Sequence, residues 1–225
     1  MKPVYIINGF LESGKTEFIT YTLDQPYFQI KGKTLIILCE EGENEYDPAL
    51  LKRSNACLEL MEQEEDFTPE KLLELEKKVK PERIIIEYNG MWKLEDLLSI
   101  KYWRVEQQIT TIDASTFTMY FTNMKSLLAE MLRASEMIIF NRCDGIEDLN
   151  SYKRNVKAIN QQADIIFEDS NGEIDEIFEE DLPFDLNSDP IVLDDMGYGI
   201  WYIDSLDHLD RYVGKNVQFT AMVMK

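Results

Sequence analysis

The stretch GFLESGKTEF, residues 9–18, sets a glycine, four residues and then Gly14-Lys15-Thr16. It follows PVYIIN (3–8), a short apolar, β-branched and aromatic run that reads as a buried strand. It precedes KTEFITYTLD, in which Phe18, Ile19 and Leu23 share one helical face. The pattern G-x-x-x-x-G-K-[ST] arises by chance in roughly one chain in a hundred of this length. Between a strand and a helix it predicts a phosphate-binding loop. Gly9 and Gly14 let the backbone curl so that its amides point inward, and the helix N-terminus adds its own anion site. Lys15 is placed to reach the β and γ phosphates of a nucleotide, and the Thr16 hydroxyl to sit on Mg²⁺. Glu12, Ser13 and Glu17, within the loop and its first helical turn, are expected to line the nucleotide.

Working outward, KTLIIL (33–38), ERIIIEYNG (82–90), WRVEQQITTIDAS (103–115), EMIIFNRCD (136–144) and ADIIFED (163–169) read as a second to sixth strand. Helices are expected over PALLKRSNACLELMEQ (48–63), which starts on a proline, over TPEKLLELEKKV (68–79), with Thr68 as N-cap, and over DLNSYKRNVKAINQQ (148–162). Alternating strands and helices predict an α/β fold, a mostly parallel sheet covered on both faces. After about residue 170 the texture changes. We read residues 1–170 as the main domain, 171–189 as an acidic linker, and 190–225 as a short β-rich segment with strands at GIWYIDS (199–205) and VGKNVQFTAMVMK (213–225). Such a hairpin is marginal alone; it is expected to begin a small β module that is cut short, or to be completed by other strands.

Lys plus Arg number 23 against 43 Asp plus Glu, a formal charge of −20. So acidic a surface argues against nucleic acid and anionic lipid as partners, and suits cations or basic protein patches. The three cysteines, Cys39, Cys57 and Cys143, are scattered and form no disulfide framework or paired metal motif, which fits a reducing compartment. No leader precedes KPVYIING, and no apolar run approaches the ~20 residues that span a bilayer. The chain therefore reads as cytoplasmic, with no membrane insertion.

NRCD (141–144), just past the fifth strand, is the second motif. Guanine offers N1–H and N2–H₂ as neighbouring donors, which Asp144 is placed to accept; adenine lacks that pair. Asn141 is expected to support the loop and face the base. Arg142 stands where Lys is usual, and its guanidinium could stack on the base plane.

Together these segments resemble the CobW/HypB/UreG family of P-loop GTPases, the CobW-like branch most closely. GFLESGKTEF matches the family's G-F-L-x-x-G-K-T, CEEGE (39–43) its N-E-x-G-E, EYNG (87–90) its E-x-x-G, TTIDASTF (110–117) its V-V-D-A-x-x-F and NRCD its N-K-x-D. The resemblance covers residues 3 to about 168 and implies a P-loop NTPase three-layer fold. It implies that Glu87, at the end of the third predicted strand, orients the attacking water or senses the γ-phosphate. Glu40 could hold Mg²⁺ directly or through water, and Gly90 is read as a hinge. The implied activity is slow GTP hydrolysis with Mg²⁺ and GTP or GDP as ligands, in a switch serving delivery of a metal such as zinc, cobalt or nickel. The implied partners are a client protein and a second copy of the chain. The chain departs from the family at its C-x-C-C metal motif, where SNACLE keeps Cys57 alone, and one thiolate makes no closed zinc site. Cys39 among acidic neighbours reads as a soft-metal ligand or as a plain strand-end cysteine, and YNGMW (88–92) as a partner surface or as core. The tail, LDRYVGKNVQFTAMVMK (209–225), resembles the opening of a small barrel domain in a bacterial family associated with predicted permeases. That leaves a nucleotide-gated module of a membrane transporter as the alternative function. An ATP-using kinase is disfavoured by Asp144.

Overall fold

The computed structural model describes residues 2–40, 42, 45–94, 97, 100, 102–174 and 182–221. The chain divides into two compact units, Met1–Ile174 and Asp175–Lys225. In the first, β1 (Pro3–Asn8), β2 (Thr34–Leu38), β3 (Ala56–Leu60), β4 (Arg83–Glu87), β5 (Arg104–Asp113), β6 (Met137–Asn141), β7 (Asp164–Asp169) and the short β8 (Gly172–Glu173) form one sheet in the order β3-β2-β4-β1-β5-β6-β7-β8. All neighbours are parallel except β8, which runs antiparallel to β7. Helices whose bounds lie within the described residues are α1 (Lys15–Asp24), α2 (Pro48–Arg53), α3 (Pro69–Val79), α4 (Ala114–Asn123), α5 (Lys125–Ala134) and α6 (Leu149–Lys157).

The central strands are apolar on both faces because both are covered. Val4, Ile6, Leu35, Ile37, Ile84 and Ile86 pack with Leu72 and Val79 of α3, whereas Ile7, Ile36 and Ile85 pack with Ile19 and Leu23 of α1 and Leu50 of α2. The period-two alternation thus feeds two cores from one sheet. Trp92, read as exposed surface or as core, lies in the first of these cores against Phe67 and Tyr88, while Met91 is exposed.

Two expectations are corrected. The helix expected over 48–63 ends at Arg53. Ser54 Oγ bonds back to the Leu50 carbonyl at 2.8 Å, and Asn55 turns the chain with φ 50°. Residues 56–60 then pair with β2, from Thr34 opposite Ala56 to Leu38 opposite Leu60. Cys57 is consequently on an edge strand and not on a helix. The second correction lies in unit two, where GIWYIDS belongs to α7 (Asp195–Asp207). Its aromatic and β-branched residues suggest a strand, but Asp194 caps a helix there, its Oδ1 accepting from the Gly197 amide at 2.7 Å. Asp204, three residues after Trp201, is buried and accepts from the Tyr212 hydroxyl.

Strand character in unit two, among the described residues, is the two-residue parallel pairing of β9 (Ile191–Val192) with β10 (Val217–Gln218). The end of the second strand expected there, residues 222–225, lies outside the described residues. Leu182, Phe184 and Leu186, in the stretch read as linker, are buried with Ile191, Leu193 and Tyr212 in this unit's own core.

Asn160 joins three segments of unit one. Its Nδ2 donates to the carbonyls of Leu132 and Ser135, each at 2.8 Å, and its Oδ1 accepts from the amides of Gln162 and Ala163. It thereby closes the end of α5 and sets the entry to β7. Asn160→Ala is expected to lower stability by about 2 kcal/mol, read as a lower denaturant midpoint at unchanged slope.

Candidate functional site

The register of the parallel strands brings the candidate residues to one edge. Glu87, the last residue of β4, lies opposite Ile7 of β1 and Leu38 of β2. The loop after β1, the chain after β2 and the tip of β4 therefore meet at the carboxyl ends of neighbouring strands, where α/β sheets hold their ligands.

Gly14 opens α1 with φ 91°, and no side chain caps the helix. That left-handed φ favours glycine, and a Cβ there would lie 2.4 Å from Asn141 Nδ2, so Asn141 would have to shift. The uncapped first-turn amides form an anion site. Behind the loop, a Cβ on Gly90 would come within 2.5 Å of the Gly9 carbonyl, so the chain after β4 presses directly on the loop's backbone. Ser13 Oγ is hydrogen-bonded to Thr111 Oγ1 at 2.9 Å, which ties the loop to β5.

Lys15 is only 4% exposed. Its Nζ donates to the carbonyls of Gly9 and Phe10, both at 2.8 Å, and pairs with Glu40. Thr16 Oγ1 donates to Glu87 Oε1 at 2.6 Å, and the Tyr46 hydroxyl donates to Glu87 Oε2 at 2.5 Å. Burial pushes the Glu87 carboxyl above its ordinary value, although these two hydrogen bonds and the Lys15 charge pull the other way.

Glu12, Ser13, Gly14, Lys15, Thr16, Glu40, Glu87 and Arg142 line one cleft, together with Leu11 and Gly42. Gly9 lies behind it, and Glu17 sits with its Oε2 3.5 Å from Arg142 Nη2. Arg142, partly exposed at the cleft, is held by hydrogen bonds. Its Nη1 donates to the Glu12 carbonyl at 2.8 Å and to Asp113 Oδ2 at 2.7 Å, so the guanidinium braces the loop against the tip of β5. Burial raises Asp113, but hydrogen bonds from Ser115 and Arg142 outweigh it and hold the carboxyl below the usual range. Asn141 Nδ2 donates to the Ser13 carbonyl at 2.7 Å. Asp144 is not part of the cleft lining. It accepts from the Ser170 hydroxyl at 2.6 Å and from the Ser170 amide, and these bonds hold its carboxyl below the usual range. Tyr46, Asp113 and Ser170 were not singled out by sequence reasoning, because their roles lie in contacts between distant segments.

The donor set suits a polyphosphate with a hard dication: a buried ammonium, uncapped amides, the Thr16 hydroxyl and two carboxylates. Asn8 Nδ2 and Asn141 Oδ1 are buried there with no hydrogen-bond partner among the described residues. A thiolate site fares differently. Cys39 is wholly buried, and burial pushes its thiol far up. Burial likewise pushes Cys143 up to about 11 and raises Cys57. No group of three or more His, Cys, Asp or Glu side chains among the described residues is placed to hold a metal ion.

The family model of the CobW/HypB/UreG nucleotide-binding domain matches residues 3–167. Among solved structures, the hydrogenase maturation factor HypB from Archaeoglobus fulgidus is similar with a TM-score of 0.55 at 19% identity, over 76% of this chain and 82% of that one. The Zn(II)-bound YjiA GTPase from E. coli is similar with a TM-score of 0.57 at 19% identity, over 77% of this chain and 59% of that one. At such identity the likeness is one of fold. No curated protein sequence matches the chain.

Because burial raises the Glu87 carboxyl, the folded state holds its proton more tightly than the unfolded chain does. Its contribution to stability is full below the unfolded value and is lost as pH rises through the folded one. Glu87→Gln is therefore expected to melt higher than the native chain at pH 7 without nucleotide, and the gap to narrow towards pH 4. Melting curves across that range check it.

Proposed function

The chain belongs to the CobW/HypB/UreG family of nucleotide-binding domains, and on that premise we propose that it binds GTP with Mg²⁺ and hydrolyses it slowly, as a conformational switch in metal handling. The observation that carries the reading is Lys15, buried at the uncapped start of α1 and paired with Glu40 in a cleft that also holds Thr16 and Glu87.

In this reading Lys15 exchanges Glu40 for the β and γ phosphate oxygens, and the backbone of Glu12, Ser13 and Gly14 cradles them while Gly9 provides the turn. Thr16 and Glu40 would hold Mg²⁺, which when bound neutralises charge on the phosphates. Glu87 accepts a hydrogen bond from the attacking water and orients it. Asp144 accepts from N1–H and N2–H₂ of guanine. Ser170 keeps that carboxylate in place, and Asn141 supports the loop from beneath. Arg142 and Glu17 brace the loop from its outer side. No arginine is free to act as a finger in the cleft among the described residues, since Arg142 is committed to Glu12 and Asp113, and this supports a low intrinsic turnover.

We assign the nucleotide chemistry to residues 1–170 and place the protein in the cytoplasm. No helix among the described residues is long and apolar enough to cross a membrane. The family and the Zn(II)-bound state of the YjiA structure support a metal as cargo. With Cys57 alone at the place of the family's thiolates, a client protein or a second copy of the chain would supply further ligands.

Competition against a fluorescent guanine nucleotide, with Mg²⁺, tests the reading. GTP is expected to displace the probe and ATP to do so poorly. Lys15→Ala is expected to weaken GTP binding about 100-fold or more. Asp144→Asn is expected to weaken it by about 100-fold and to turn preference towards xanthosine triphosphate. Equal displacement by ATP, or full GTP preference in Asp144→Asn, would remove the guanine assignment.

A further inference from the structure

Neither the 9–16 spacing nor NRCD points to Tyr46. It lies between β2 and α2, in the core formed with Ile7, Ile36, Leu50 and Ile85, and is 7% exposed. A phenol buried this far requires a polar partner for its hydroxyl, and here the hydroxyl donates to Glu87 Oε2. The next residue, Asp47, caps α2, its Oδ1 accepting from the Ala49 amide at 2.9 Å, so the backbone that carries Tyr46 is itself held.

Glu87 thus has one hydroxyl on each oxygen, from two different elements. The two donors are not equivalent. Thr16 lines the cleft, whereas the Tyr46 ring is locked in the core behind it. From this geometry we infer that Tyr46 is a positioning residue for hydrolysis, its hydroxyl pinning one oxygen of Glu87 so that the other faces the cleft when Thr16 turns to the nucleotide.

The inference rests on the proposed function, which commits the Thr16 hydroxyl to magnesium. Once Thr16 has turned away, the groups left around Glu87 among the described residues are Lys15, which attracts it, Glu40, which repels it, the Cys39 thiol and Tyr46. Lys15 is engaged by phosphate in that state. A carboxylate without Tyr46 would then be free to rotate or to swing towards the ammonium, and a water would have no fixed acceptor. With Tyr46 in place one oxygen is spent on the phenol, and a single acceptor remains. Tyr46 also links the stretch that carries Glu40 and Gly42 to the tip of β4, so a shift on either side of the cleft is felt on the other.

Tyr46→Phe keeps the ring and removes the hydroxyl. With guanine nucleotide affinity followed by the fluorescent probe and turnover by phosphate release, affinity and KM are expected to stay within about threefold while kcat falls about 10- to 100-fold. In a Glu87→Gln background, itself slow, the same substitution is expected to change kcat less than about twofold, since partners in one chain of action are not additive. A second cycle is read without nucleotide against Glu87→Ala, which removes the acceptor: the shift in denaturant midpoint caused by Tyr46→Phe is expected to disappear in that background. An unchanged kcat, a raised KM in place of a lowered kcat, or additive effects in both cycles would overturn the inference and leave the GTPase reading standing. A native chain that neither binds nor hydrolyses GTP would overturn that reading and the inference together.

Discussion

A lysine ammonium buried to 4% exposure has to be matched by acceptors, and at Lys15 these are the Gly9 and Phe10 carbonyls and the Glu40 carboxylate. An unmatched charge at that depth would shift or refuse burial. The loop must therefore curl far enough for two of its own carbonyls to reach the side chain that follows it. Glycine at 9 and 14 permits the curl, and the close passage of Gly90 behind Gly9 holds it. The sheet supplies the rest. Parallel register sets the ends of β1, β2 and β4 at one level, so Glu40 and Glu87 arrive at the lysine and its neighbour from two adjacent strands.

The same arrangement separates a packed frame from the polar contacts at its edge. β4 is buried throughout, and its neighbours β1 and β2 are apolar on both faces, so the strand ends are fixed by two cores. The side chains at those ends are held by exchangeable polar contacts: Lys15 with Glu40 and Thr16 with Glu87. Each of these contacts joins groups that a triphosphate or a dication can also satisfy. A rigid frame with a small set of alternative pairings is what the switch proposed above would need.

What was legible in the sequence was local or periodic. The phosphate loop is a spacing within ten residues, and the central strands are unbroken apolar runs because both faces are covered. β3 escaped because it is an edge strand, half exposed along ACLEL, so its pattern is as compatible with a helix as with a strand. GIWYIDS escaped because its composition favours a strand and a single cap, Asp194, decides otherwise. The candidate site was legible where residues act through backbone or at a motif position. It was not legible where a residue acts through a partner far along the chain. Tyr46 meets Glu87 across 41 positions, Ser170 meets Asp144 across 26, and Arg142 reaches the Glu12 carbonyl across 130. The bracing contacts of Arg142 escaped for the same reason, since its partners are set by tertiary packing.

The acidity of the chain bears on the site as well as on its solubility. A protein with a formal charge of −20 presents a field that repels a triphosphate. Glu12, Glu40 and Glu87 line the cleft itself, and of its two basic residues Arg142 is already paired with Asp113. Lys15 and the amides at the start of α1 are then the positive groups left for the phosphates, and Lys15 is shared with Glu40. Such a cleft disfavours a bare polyphosphate. On the function proposed above, one whose charge is already reduced by a dication would be better accepted, because Glu40 would then be a ligand of the cation in place of a competitor for Lys15. Lys15 would be left for the phosphate. Selection for the metal-bound nucleotide over the free one would then follow from the carboxylates that, without the cation, oppose binding.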